Sequence, residues 1–256
     1  MDTSWAACGC KTRLCYNDGL HPSDVIVSHT VIHQQAAMLE FNNVYKRYSE
    51  SGEVLSGISF QQARGEMIFL TGHSGAGKST LLKLIPVMER VTRGQILFDG
   101  KPVSRISSRQ IPYFRRKLGL IFQDYRLLHD RSIFDNVALP LMIAGYSQSE
   151  IGRRVRAALD KVGLLRKEKR YPLSLSGGEQ QRVGIARAIV HKPPMILADE
   201  PTGNLDPELS VEIMNLFQEF NRVGVTILVA SHDISLISHF GCRVLRLHQG
   251  KIFSEK

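Results

Sequence analysis

The chain has 256 residues, 43% of them hydrophobic and 22% charged, with a mean hydropathy of −0.11. That length suits one α/β domain with a sizeable subdomain, and the composition excludes a disordered, fibrous or membrane-embedded protein. A formal charge of +9 points to acidic company, without choosing between nucleic acid, an anionic membrane face and phosphorylated ligands.

Residues 1–37 stand apart. They hold three of the four cysteines (Cys8, Cys10, Cys15), the single Trp5 and three of nine histidines, with neither helical nor strand periodicity. The spacing of Cys8, Cys10, Cys15 and His21 fits none of the usual zinc patterns, and the segment has no apolar signal-peptide core. It is read as an extension, disordered or a mis-assigned start, with Met38 the expected start of translation. The domain is placed at 38–256.

From Leu39 onward, alternating apolar residues, a turn at Ser49 to Gly52 and a second apolar stretch (Val54, Leu55, Ile58, Phe60) predict antiparallel strands. Short apolar runs at Glu66 to Thr71, Leu118 to Phe122, Met195 to Ala198 and Val225 to Ala230 predict buried parallel strands. Helical patterns cover Ser149 to Val162, Gly178 to Val190, Pro207 to Arg222 and Asp233 to Phe240. Strands alternating with helices imply a wound, mainly parallel sheet. The strand-free gap after Phe122 reads as an inserted helical subdomain, about 125–190. No apolar run reaches the roughly 18 residues of a spanning helix; Val137 to Gly145 is too short and contains Pro140. The basic clusters (Arg115 to Lys117, Arg153 to Arg156, Arg166 to Arg170) read as solvated helix faces, and no nucleic-acid-binding signature accompanies them.

Gly72-His73-Ser74-Gly75-Ala76-Gly77-Lys78-Ser79 fits the phosphate-binding loop G-x-x-x-x-G-K-[ST] and lies between a strand and a helix that continues through Thr80, as that loop requires. Its backbone N–H groups would converge on phosphate oxygens at a helix N-terminus, with Lys78 reaching the β and γ phosphates and Ser79 a Mg2+ ion. Met195 to Ala198 is a strand running into Asp199 and Glu200. Alternation turns Asp199 toward a metal shell and leaves Glu200 to polarise a water. Leu175-Ser176-Gly177-Gly178-Glu179-Gln180 opens a helix and offers a second phosphate-binding turn.

Together these motifs resemble those of the ABC ATPases, over about residues 38–250. The resemblance implies a P-loop ABC fold with an antiparallel β subdomain and a helical subdomain, ATP and Mg2+ as cofactors, and an ATP-sandwich homodimer. In that dimer Ser176, Gly177, Gly178 and Glu179 of one subunit face the phosphate loop of the other. It implies further that Gln123 touches Mg2+ or water, that Asp206 acts across the dimer interface, and that His232 contacts the γ phosphate. Tyr48 is the expected adenine-stacking aromatic, with Tyr45 as the alternative.

The connecting text, including Gly72-His73, Leu118 to Asp124, Leu159 to Leu165 and Glu219 to Val225, is similar to the FtsE cell-division branch. A polytopic FtsX-like membrane partner and a place at the cytoplasmic face of the bacterial inner membrane follow from that resemblance, with about Tyr125 to Ala144 as the docking surface. A lipoprotein-releasing or macrolide-efflux ATPase is the alternative. Ile85-Pro86-Val87 departs from the family pattern, and Pro86 is expected to end or kink the first helix.

Overall fold

The computed structural model describes residues 37–50 and 52–255. The cysteine and histidine cluster of the N-terminal extension lies outside the described residues.

Strands β1 (Ala37–Tyr48) and β2 (Gly52–Ala63) form the expected hairpin. Strand β3 (Met67–Thr71) runs into the glycine-rich loop and helix α1 (Lys78–Leu84). Strands β4 (Arg93–Phe98) and β5 (Lys101–Pro102) join the hairpin, completing an antiparallel sheet of order β2-β1-β4-β5. Helix α2 (Ile111–Arg115) and strand β6 (Leu118–Ile121) lead into the helical subdomain. That subdomain comprises α3 (Ile133–Ala144), α4 (Gln148–Lys161), two 3-10 turns and α5 (Gly177–Ile189). Then come β7 (Met195–Asp199), α6 (Pro207–Arg222), β8 (Thr226–Ala230), α7 (Ile234–Phe240), β9 (Arg243–His248) and β10 (Lys251–Glu255).

The second sheet has the order β10-β9-β3-β8-β7-β6, parallel throughout except for the edge strand β10. Its central strands are apolar at nearly every position because both faces are covered. Alternation divides their side chains between two cores. Met67, Phe69, Ile196, Ala198, Ile227 and Val229 pack toward the helical subdomain, α6 and α7. Ile68, Leu70, Met195, Leu197, Leu228 and Ala230 pack toward α1 and the antiparallel sheet.

Helix α1 ends after Leu84, as Pro86 requires. The Met88 N–H donates to the Lys83 carbonyl and the Val87 N–H to that of Leu84, a Schellman-type closure. Val87 holds the left-handed position (φ 54) that usually takes glycine. Arg115 donates to the carbonyls of Pro86 and Val87 at 2.8 and 2.9 Å, so this member of the basic clusters is a structural tie and not a solvated charge.

Candidate active site

Four parallel strands end side by side, and each delivers one part of the site. Beyond β3 lies the phosphate loop, beyond β6 Gln123, at the end of β7 Asp199 with Glu200, and two residues past β8 His232. Open α/β sheets bind ligands at this carboxyl edge. Register sets the heights: Asp199 lies opposite Ala230, which lies opposite Leu70. The Glu200 N–H donates to the Ala230 carbonyl at 3.0 Å and the Ser231 N–H to that of Leu70 at 3.1 Å, extending the ladder into the loops.

The loop needs its glycines. A Cβ at Gly72 would sit 2.3 Å from the Leu247 carbonyl oxygen, and one at Gly77 (φ 107) would meet Leu55 Cδ2 at 2.8 Å. Gly75 (φ 79) faces open space, His73 and Ser74 are exposed with the His73 ring edge-on to His248, and Ala76 is buried. The buried Lys78 turns its Nζ back onto its own loop, donating to the Gly72 carbonyl at 2.8 Å, and lies 3.5 Å from Glu200 Oε1.

The Ser79 hydroxyl donates to Asp199 Oδ1 at 3.2 Å. Burial raises the Asp199 carboxyl above its ordinary range, the Ser79 hydrogen bond opposes this, and the Glu200 charge adds to it. A carboxylate so placed gains from a hard cation. Among the described residues no group of three or more His, Cys, Asp or Glu could hold a metal ion. The Ser79 hydroxyl and the Asp199 carboxylate together fit Mg2+, which takes one or two protein oxygens and completes its shell with phosphate and water.

Glu200 has the positive φ of 48° beyond the strand end, and its Oε2 lies 2.8 Å from His232 Nδ1. The candidate for polarising the water and the candidate for contacting the γ phosphate are therefore already in contact, with Glu200 mostly buried and His232 exposed. Gln123 sits two residues past β6 and is exposed, and its Nε2 approaches Gly203.

The signature residues serve the helix they open. Ser176 caps α5 in a reciprocal box with Glu179: its hydroxyl accepts from the Glu179 N–H, and the Glu179 carboxylate accepts from the Ser176 N–H. A hydrogen bond from Lys167 holds the Glu179 carboxyl below its ordinary range. Gly177 is exposed and Gly178 buried against Leu209. Asp206 likewise caps α6, accepting from the Leu209 N–H at 2.9 Å.

Further along α5, Arg187 donates to the carbonyls of Tyr125 and Arg126, both at 2.6 Å. These two residues have φ 54 and 49°, so Arg187 ties an irregular segment beside Gln123 to the signature helix. The periodicity of α5 gives no sign of this role, because an arginine on a helix reads as a polar face.

Of the two aromatic candidates, Tyr45 has its ring covered by the Arg93 guanidinium at 3.9 Å. Tyr48, opposite Gly52 at the hairpin end, is half-buried, with the Lys46 ammonium 4.5 Å from its ring centre.

A strand–glycine loop–helix on a parallel sheet, with acids and a histidine at the neighbouring strand ends and a Ser-Gly-Gly turn on a helical subdomain, defines an ATPase of the ABC class. The model of the ABC transporter family matches residues 55–203. The cell division ATP-binding protein FtsE of Escherichia coli (strain K12) is 59% identical over 215 residues, 84% of this chain and 97% of that protein. The dimeric structure of MJ0796, a bacterial ABC transporter cassette, superposes with a TM-score of 0.80 at 34% identity, covering 86% of this chain and 98% of that one. A post-hydrolysis state of the same cassette bound to ADP and Pi matches equally well. The chain belongs to the ABC transporter family of ATPases, in its FtsE branch.

Proposed function

We propose that this chain hydrolyses ATP as one half of a Mg2+-dependent homodimer on the cytoplasmic face of the bacterial inner membrane, driving an FtsX-like polytopic partner that regulates cell-wall hydrolysis during division. The supporting observation is the convergence of Lys78, Asp199, Glu200 and His232 at adjacent strand ends, in a chain 59% identical to a cell-division ATPase over nearly all of the latter's length.

In this reading the loop from Gly72 to Thr80 wraps the phosphates. Lys78 exchanges the Gly72 carbonyl for phosphate oxygens, and Ser79, Asp199 and Gln123 hold the metal shell. When bound, the ion neutralises phosphate charge. Glu200 orients and deprotonates the attacking water, and His232, already at hydrogen-bond distance from it, stabilises the γ phosphate. Ser176 to Glu179 and Asp206 act on the partner subunit's nucleotide, and Tyr48 stacks on adenine.

The docking surface lies on the helical subdomain beyond Gln123. Most of the apolar run of α3 is internal, with Ile133, Val137 and Leu141 buried, whereas Leu128, Met142 and Ile143 remain exposed at 43%, 52% and 60%. Arg116 donates to the Ile143 carbonyl at 3.0 Å and gives this apolar rim a basic edge.

The test is affinity capture of a C-terminally tagged Glu200→Gln protein from gently solubilised native membranes with ATP present. Recovery of an FtsX-like protein is expected. A lipoprotein-release or efflux permease in its place would keep the ATPase chemistry and refute the division role.

A further inference from the structure

Lys46 is a buried cation, 8% exposed, two residues before the end of β1. Burying an ammonium is costly unless it is paired and hydrogen-bonded. Its Nζ contacts account for the burial: it donates to Glu89 Oε2 at 2.9 Å and to the Arg90 carbonyl at 3.1 Å, and it lies over the Tyr48 ring at 4.5 Å. Glu89 and Arg90 follow the end of α1, the helix that the phosphate loop begins. The backbone holds this junction on both sides of Lys46, with the Thr92 N–H donating to the Tyr45 carbonyl at 2.8 Å and the Arg47 N–H to Thr92 Oγ1 at 3.0 Å.

We infer that Lys46 is a positioning residue for nucleotide binding, which fixes the Tyr48 ring at a set place relative to the phosphate loop by bridging that ring to the far end of α1. The inference rests on the reading of Tyr48 as the adenine-stacking aromatic. Three parts make the bridge. Helix α1 is a short rigid spacer whose N-terminus is the phosphate loop. Its exit is clamped by the closure at Val87 and by Arg115. Lys46 then spans from that exit to the ring. A cation held on one face of a tyrosine fixes the ring's orientation and leaves the other face for a base. Glu89 cancels the charge, so Lys46 orders the platform without adding net charge near the triphosphate.

A base-free ligand separates this role from a structural one. Equilibrium binding of Mg-ATP and of Mg-tripolyphosphate is measured for the wild-type chain, Lys46→Met, Lys46→Arg, Glu89→Gln and Tyr48→Ala, together with KM and kcat for ATP. Base stacking on an aromatic makes Tyr48→Ala weaken ATP by about 5-fold to 100-fold while leaving tripolyphosphate untouched. Lys46→Met is expected to weaken ATP by about 5-fold, with KM raised, kcat at saturation retained and tripolyphosphate affinity unchanged. Lys46→Arg, which keeps the cation, recovers most of the loss, and Glu89→Gln shows a smaller loss of the same pattern. Equal weakening of ATP and tripolyphosphate, or unchanged ATP binding while Tyr48→Ala weakens it, would overturn the inference. If Lys46→Met does not fold, Lys46→Arg and Glu89→Gln decide by the same comparison. If Tyr48→Ala itself leaves ATP affinity unchanged, it is the stacking reading that fails, and the inference built on it is withdrawn.

Discussion

Replacing Glu200 by glutamine keeps the side chain's shape and removes its charge, and two contacts translate that into opposite effects on binding and turnover. Oε2 is 2.8 Å from His232, and in the proposed mechanism Glu200 is the base that the amide removes. A positioned general base contributes about 10²- to 10⁴-fold, which at about 1.4 kcal/mol per decade raises the barrier by roughly 3–5 kcal/mol. Oε1 is 3.5 Å from Lys78, the cation that the proposed mechanism assigns to the incoming phosphates. The Coulomb energy of a pair at that distance, at an effective dielectric near 20, is on the order of 5 kcal/mol, most of it cancelled by desolvation of the two buried groups. A residue of about 1 kcal/mol corresponds to roughly fivefold tighter ATP, because glutamine holds Lys78 less firmly and does not repel the γ phosphate. The assay pairs phosphate release under saturating Mg-ATP with equilibrium ATP binding on the same preparation. Unchanged turnover would refute the assignment of the base, and weaker ATP binding would refute the competition for Lys78.

Asp199→Asn is expected to stabilise the nucleotide-free protein at pH 7 and to abolish Mg2+-dependent ATP binding. Burial raises the Asp199 carboxyl, so the folded state keeps a proton that the unfolded state has released, and stability falls as pH rises through that window. Urea midpoints at pH 4 and 7 should therefore separate variant from wild type more at pH 7. His191 has the opposite sign. Its ring nitrogens are buried, and burial pushes its pKa down against a weaker opposing pull from the Leu118 backbone. Its contribution to stability is intact above the usual histidine range and is lost as pH falls below it. His191→Leu should flatten the urea-midpoint profile between pH 5 and 7, and a profile unchanged from wild type would contradict this. Gly119→Ala would place a Cβ 2.7 Å from the Ala188 carbonyl and 3.0 Å from Pro193 Cγ, at a cost of about 1–3 kcal/mol in chemical unfolding, with ATP affinity retained.

The site was legible in the sequence because phosphate chemistry restricts residue types at fixed spacing. Gly72, Gly77 and Lys78 could be read from the loop alone, and the run from Met195 to Glu200 identified its own strand and acids. The parallel strands were readable for a related reason: burial on both faces demands continuous apolar runs. The smaller elements were less visible. Strand β4 begins with Arg93 and Gly94, β5 spans two residues, and β10 is an edge strand, so none carries a full alternating pattern. The roles of Arg115, Arg187 and Lys46 depend on carbonyls and carboxylates tens of residues away, which local pattern cannot report. Ser176 and Asp206 were read for their chemistry, and each also serves as a helix cap.

The tie made by Arg187 bears on how quickly the nucleotide site can rearrange. An exposed connecting loop ordinarily moves within nanoseconds to microseconds, whereas packed helices shift collectively over microseconds to milliseconds. The segment after Gln123 is held through two of its own carbonyls by a guanidinium rooted in α5. Moving it requires either moving α5 as well or breaking both hydrogen bonds. In the proposed mechanism, a nucleotide signal passing through this segment would therefore be paced by the helical subdomain and not by a free loop.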